Sequence, residues 1–247
     1  MSAVPIIALD VPTLSAAREL LARLGPAADF VKVGLELFTA EGPRVIEWLH
    51  ADGRRVFLDL KLHDIPTTVR GAARSAASMG VSLLTVHGYG GAAMVEAAVE
   101  GAVEGAGERT GILVVTVLTN HDLASLGIAL GREVHEIGAE VLRLAGVAQA
   151  AGAHGIVCSG HEVRSVRATY PRLSPLVPGI RLEGGATHDQ ARVVTPERAA
   201  EDGAAYLVLG RAVTAAPDPA ATLDLVRASL GLGRAALGRS VGGSVGG

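Results

Sequence analysis

The chain is predicted to be an α/β protein, and within that class a closed (β/α)8 TIM barrel forming a single domain over residues 1–232. Three observations carry this. Short β-branched runs alternate with longer Ala/Leu-rich amphipathic segments, the pattern of a parallel sheet with crossover helices. Eight strands, each with a helix behind it, follow one another without a break in composition. A length of 247 residues suits one such barrel. A doubly wound open sheet satisfies the same alternation, because spacing alone does not show closure.

In chain order, the first strand is read at 4–10, from Val4-Pro5-Ile6-Ile7-Ala8-Leu9-Asp10, and its helix at 13–24. Phe30-Val31-Lys32-Val33-Gly34 marks the second strand, 29–34, followed by a helix at 36–50. The third strand is 55–60, and Pro66 suits the first turn of the helix that follows at 67–79. Strands at 82–87 and 111–117 flank a helix at 91–105. The helix at 132–151 leads to a strand at 155–158, and 161–169 to one at 174–178. The helix at 195–202, the strand at 206–210 and the helix at 219–230 complete the set. Two connections are long enough to act as lids: 118–131, and 182–194 with Gly184-Gly185. Residues 233–247, ending in Ser-Val-Gly-Gly-Ser-Val-Gly-Gly, read as a flexible tail.

Bulk composition narrows the function. Hydrophobic residues make up 49% of the chain, enough for a full core without metal or disulfide, and aromatics only 3%, so that core is aliphatic. A net charge of −3 and a pI near 6.2 argue against nucleic acid or an anionic membrane as main partner. No apolar stretch is long enough to span a bilayer without charges or glycines. The single cysteine, Cys158, lies in the apolar run Gly155-Ile156-Val157-Cys158 and reads as a small buried hydrophobe in a reducing compartment. The N-terminus lacks a signal-like segment, and a cytoplasmic protein is expected.

Lysine occurs only twice, at Lys32 and Lys61, against twenty arginines. Guanidinium effectively never releases its proton, whereas an ammonium is a compact charge that can donate one. Both lysines end apolar runs. Lys61 stands in Asp59-Leu60-Lys61-Leu62-His63-Asp64-Ile65-Pro66-Thr67-Thr68, the densest polar cluster of the chain. Residues two apart on a strand share a face, so Asp59 and Lys61 are aimed together and His63 is turned away toward packing or surface. With Lys32 on the neighbouring strand and Asp64 just beyond, carboxylates and ammoniums alternate in one mouth, each keeping the next charged. A network that merely orders a rim is the bland alternative, but ion pairs taken out of water are poor stabilisers. A second constellation follows the last strands: Pro178-Gly179-Ile180-Arg181 leads into a segment ending at Gln190, and Leu207-Val208-Leu209-Gly210-Arg211 opens onto a helix. Loops after the seventh and eighth barrel strands recurrently hold phosphate. Gly210 would let backbone approach the anion, and Arg211 would add a charged fork. No histidine or carboxylate spacing suggests a metal site.

The segment Asp59–Thr68 (DLKLHDIPTT) resembles the signature of orotidine 5′-phosphate decarboxylases. The likeness extends to Ile6–Asp10, Val31–Gly34, Thr85-Val86-His87, Thr116–Thr119, Val157–Ser159 and the two arginine segments. The D-x-K-x-x-D core is shared with related sugar-phosphate decarboxylases and synthases, while Ile65-Pro66-x-Thr68 and the arginine segments are more specific. The resemblance implies a barrel that converts orotidine 5′-phosphate to uridine 5′-phosphate and CO2 in de novo pyrimidine biosynthesis, without a cofactor. It implies that Lys61 protonates C6, that Asp59 sits against the departing carboxylate, and that Lys32 and Asp64 complete the charge network. Asp10, Lys32, Asp64 and Thr68 would hold the ribose hydroxyls, with Ile65 among the substrate contacts. Thr119 would meet the base, and Arg181, Gln190, Gly210 and Arg211 the phosphate. A homodimer is implied, with the Asp64 region reaching into the neighbour's site. Other chemistries remain open to the residues alone: a metal-assisted relative with the same core, an aldolase using Lys61 as Schiff base, or a phosphate-binding barrel without turnover.

Overall fold

A computed structural model describes residues 3–182 and 194–233. Eight parallel strands close into a barrel in sequence order, each pairing with its neighbours and the first with the eighth. They are β1 (Val4–Leu9), β2 (Phe30–Gly34), β3 (Arg55–Leu62), β4 (Leu83–His87), β5 (Gly111–Val115), β6 (Gly155–Val157), β7 (Ser174–Val177) and β8 (Tyr206–Leu209). The open-sheet alternative is thereby excluded.

Period-two alternation explains both faces of these strands. Every second residue points inward, and Ile6, Ala8, Phe30, Phe57, Leu83, Leu113, Leu176 and Val208 fill the barrel as one buried cluster. The residues between them, such as Ile7, Leu9, Val31, Val33, Val56, Leu58 and Leu84, pack outward against the helices in a second, larger cluster. Each large aliphatic or aromatic side chain buried in this way contributes about 1.5–3 kcal/mol.

The helices are α1 (Leu14–Leu24), α2 (Leu35–Glu41), α3 (Arg44–Ala51), α4 (Pro66–Ser78), α5 (Gly91–Ala106), α6 (Leu123–Leu130), α7 (Ile137–Ala150), α8 (Val163–Thr169), α9 (Pro196–Glu201), α10 (Arg211–Thr214) and α11 (Pro219–Ser229). Thr13, Thr195 and Asp218 cap α1, α9 and α11 with side-chain oxygens. Two expectations need correction. The single helix at 36–50 is two, because Gly42 takes φ +62° and Pro43 follows it, which ends one helix and starts the next. The connection expected as an open loop over 118–131 contains α6, and the helix expected from 132 begins only at Ile137. Asp122 and Ser125 form a reciprocal capping box at the start of α6, and Gly131, in the left-handed region at φ +62°, stops it.

The expected lid at 182–194 falls, apart from its ends, outside the described residues, as do Gln190 and the tail beyond Gly233. The ends of that connection are tied together: Ile180 bridges Val194, and the Arg181 N–H donates to the Val194 carbonyl at 3.0 Å.

Candidate active site

Toward the C-terminal ends of the strands the inward-facing side chains change from apolar to charged or polar. On β2 Phe30 gives way to Lys32, on β3 Phe57 to Asp59, and on β4 Leu83 to Thr85. A cavity of about 300 Å³ opens there, with Asp10, Lys32, Asp59, Lys61 and Thr119 on its walls. Arg181, Gly210 and Arg211 line it too, so eight of the twelve residues singled out in the sequence share one space.

Charges alternate across the mouth. The Lys32 ammonium lies 2.7 Å from Asp10 Oδ1 and 3.8 Å from Asp59 Oδ2. The Lys61 ammonium donates to both oxygens of Asp59, at 2.9 and 2.8 Å. Lys32 and Asp59 are sheltered, with side-chain exposures of 9% and 13%, while Lys61 at 31% faces the open cavity. Each sheltered charge therefore has an opposite charge in contact, the condition for holding ions out of water. Within this chain the fourth member is Asp10 rather than Asp64. Asp64 is exposed, accepts a hydrogen bond from the Ile65 N–H at 2.6 Å, and does not line the cavity of its own barrel. Ile65 and Thr68 are exposed beside it.

Asp59 and Lys61 do meet, but simple strand alternation is not the reason. Leu58 pairs with Leu84 and Leu62 with Val86, so Asp59, Leu60 and Lys61 together face the single residue Thr85. This bulge places Lys61 at φ +50°, the one non-glycine residue with positive φ among those described. Such a conformation costs about 1–3 kcal/mol and persists where surrounding contacts enforce it. His63 is exposed and lies against His87, ring centres 5.6 Å apart. Burial holds the pKa of His87 below the ordinary histidine value, with the positive charges of His63 and Lys61 acting in the same direction.

Two residues near the charges were not among the candidates. Thr85 is fully buried and bonded to both Asp59 and Lys61; its signal was the inward register it shares with Leu83. Gly34 ends β2, and a methyl group there would sit 3.0 Å from the Lys32 ammonium and 3.5 Å from Asp10 Oδ1. A side chain at this position would crowd that ion pair. At the other end, Gly210 has open space where a side chain would stand, and Arg211 begins α10. The Arg181 guanidinium donates to the Ile180 carbonyl at 2.9 Å. Among the described residues no group of three or more His, Cys, Asp or Glu side chains is placed to hold a metal ion.

A closed barrel with an Asp–Lys–Asp–Lys chain at the ends of its first three strands, and arginines after the seventh and eighth, defines a class of (β/α)8 proteins with an alternating-charge centre. Residues 4–226 match the model of the orotidine 5′-phosphate decarboxylase / HUMPS family, and the chain belongs to that family. A protein of Anaeromyxobacter sp. (strain K) named orotidine 5′-phosphate decarboxylase is 53% identical over 227 residues, covering 90% of this chain and 96% of the relative. One of the same name from Moorella thermoacetica is 45% identical over 230 residues, 91% of each chain. The crystal structure of orotidine 5′-phosphate decarboxylase from Lactobacillus acidophilus superposes with a TM-score of 0.83 at 34% identity, covering 93% of this chain and 99% of that one.

Proposed function

We propose that this chain decarboxylates orotidine 5′-phosphate to uridine 5′-phosphate and CO2, as a step of pyrimidine biosynthesis, with Lys61 as proton donor and no cofactor. The observation that carries the reading is the Lys61 ammonium held by both oxygens of Asp59 at the wall of a cavity that ends in Arg181 and Arg211. The naming of the relatives at 53% and 45% identity supports it over the sugar-phosphate branch of the family.

The chemistry follows from the charges. The bond from C6 to the carboxylate carbon breaks, CO2 leaves, and the electron pair stays on C6, where no attached group delocalises it well. The nearest available stabiliser is a fixed ammonium, which then delivers its proton to C6 and is reprotonated from solvent. Asp59 faces the substrate carboxylate, so its negative charge disfavours the ground state and is relieved as neutral CO2 departs. Lys32 and Asp10 hold the ribose, Thr119 meets the base, and Arg181, Gly210 and Arg211, with Gln190, hold the phosphate. Phosphate binding remote from the breaking bond raises turnover as well as affinity, because it holds the carboxylate against Asp59.

The active form is proposed to be a homodimer in which Asp64, Ile65 and Thr68 enter the partner's cavity to reach the ribose. Their exposure beside, but outside, their own cavity supports this. So does the exposure of the apolar Ile65, Leu123 and Ile128 on the connections that leave β3 and β5. The chain's single cysteine, Cys158, is buried, which suits a reducing cytoplasm, and no described helix is long and apolar enough to cross a membrane.

Spectrophotometric turnover of orotidine 5′-phosphate, with and without a chelator, tests the reading. Consumption of substrate at equal rates in both is expected. A purified protein inert toward this nucleotide, or one silenced by the chelator, overturns it.

A further inference from the structure

The geometry points to Thr85 as a positioning residue for the Asp59–Lys61 pair. Among the described residues its hydroxyl is the one group that bonds both partners: it accepts the backbone N–H of Lys61 at 2.9 Å and donates to Asp59 Oδ1 at 2.9 Å. Thr85 is fully buried on the inner face of β4, one turn of the pleat above Leu83, so its rotamer is set by packing. It is also the one β4 residue opposite the three-residue bulge Asp59-Leu60-Lys61.

The need for such a residue follows from the bulge. Where three residues face one, the ladder cannot pair every backbone group, and an N–H left without a partner in a sheltered place is costly. The Lys61 N–H is in that position, and the Thr85 oxygen takes it. That bond helps hold Lys61 at φ +50°, the conformation that turns its side chain onto the Asp59 carboxylate. Having accepted one hydrogen bond, the hydroxyl directs its own proton at Oδ1, the oxygen that Lys61 Nζ reaches at 2.9 Å. A chain of this kind is cooperative, since each bond polarises the next. Thr85 therefore fixes the orientation of the carboxylate plane and, through the backbone, the place from which the ammonium acts. It does not line the cavity and is assigned no contact with substrate.

This inference rests on the decarboxylase reading, and its test separates the two. The parent enzyme is first shown to turn over orotidine 5′-phosphate; an inert parent refutes the function, whatever Thr85 does. Thr85→Val preserves shape and removes the hydroxyl, and Thr85→Ser keeps the hydroxyl and removes a methyl group. For the valine variant kcat is expected to fall about 10- to 100-fold with KM changed less than about threefold, and the affinity for uridine 5′-phosphate to stay near that of the parent. The serine variant is expected to recover kcat to within about threefold of the parent. Thermal melts accompany each measurement. Should Thr85→Val not fold, Thr85→Cys carries the same expectation, because a thiol is a weak donor and acceptor. The proposal is overturned by a valine or cysteine variant with kcat within about threefold of the parent. It is equally overturned if serine and valine are impaired alike, or if KM and product affinity deteriorate together with kcat, since packing alone accounts for those results.

Discussion

Under the proposed reaction, the choice of lysine over arginine at position 61 is chemical. Both carry a positive charge beside Asp59, but only the ammonium can hand a proton to carbon at neutral pH. Lys61→Arg is therefore expected to lose at least about a thousandfold in kcat, measured on orotidine 5′-phosphate, and near-normal turnover would remove Lys61 as the donor. Arg211, at the first position of α10 on the far wall of the cavity, is assigned the phosphate. Arg211→Ala should lower kcat/KM strongly for the nucleotide and hardly at all for the phosphate-free nucleoside; equal losses on both would place the guanidinium elsewhere in the mechanism. Both residues could be read from the sequence because each ends an apolar run, and a charge at the end of a barrel strand has a known destination. Thr85 and Gly34 could not be read so easily. A threonine in a strand is unremarkable until the bulge opposite it is seen, and a glycine matters only once the ammonium beside it has been located.

Helices α4 and α5 show how packing away from the cavity bears on the segment proposed to enter the partner's site. The Asp64–Thr68 segment runs directly into α4, so the seating of that helix sets where those residues project. α4 lies closely against α5 because α5 offers glycine at the contact: methyl groups added at Gly101 and Gly105 would come within 2.2 Å of the Arg70 carbonyl oxygen and 2.3 Å of that of Arg74. Backbone cannot yield at such distances without moving a helix. Gly101→Ala is expected to destabilise by about 1–3 kcal/mol in thermal or denaturant unfolding, even though alanine is the better helix former. A neutral or stabilising effect would show that the two helices have room to separate. The missed α6 makes a related point: an apolar stretch of eight residues is too short for a clear helical period, and its Asp122–Ser125 capping box was the signal to read.

For the molecule as a whole, pH and assembly are the two tests. Burial holds the pKa of His154 below the ordinary value of 6.5, where its Nε2 lies 3.0 Å from the Tyr206 hydroxyl at the N-terminal end of the barrel. A histidine kept neutral by folding contributes stability that is complete above pH 6.5 and is lost as pH falls below it. Glu140, gripped by Arg143 and Arg132, is lowered from 4.5 to about 2, so its contribution is complete above pH 4.5 and is lost as pH falls toward 2. The melting temperature should therefore fall in two stages on acidification. His154→Gln should flatten the first, to which His87 also contributes, and Glu140→Gln the second; unchanged slopes would refute the assignments. Assembly is tested by mixing. Where Asp64 serves the partner's cavity, a Lys61→Ala subunit exchanged with an Asp64→Ala subunit yields one site with both defects and one with none. Two nearly inactive homodimers should then regain activity approaching one working site per heterodimer. Heterodimers verified by mass-tagging one parent, yet without activity, would rule the shared site out.

The order of strands and helices, the aliphatic core and the residues at the strand ends were already written in one dimension. Alternation, run length and turn residues are local properties, and a parallel barrel places every strand end on one rim. Closure of the sheet, and with it the meeting of Asp10, Lys32, Asp59 and Lys61 with Arg181 and Arg211, belonged to the tertiary structure. Residues so distant in the chain meet only through the pairing of β1 with β8. The bulge at Lys61 is of the same kind. A left-handed lysine is unfavourable by its own propensity, and it stands because β4 presents a hydroxyl where a ladder partner is missing. Local preference proposes the elements, while long-range pairing decides which side chains share a cavity and which backbone strain is held in place.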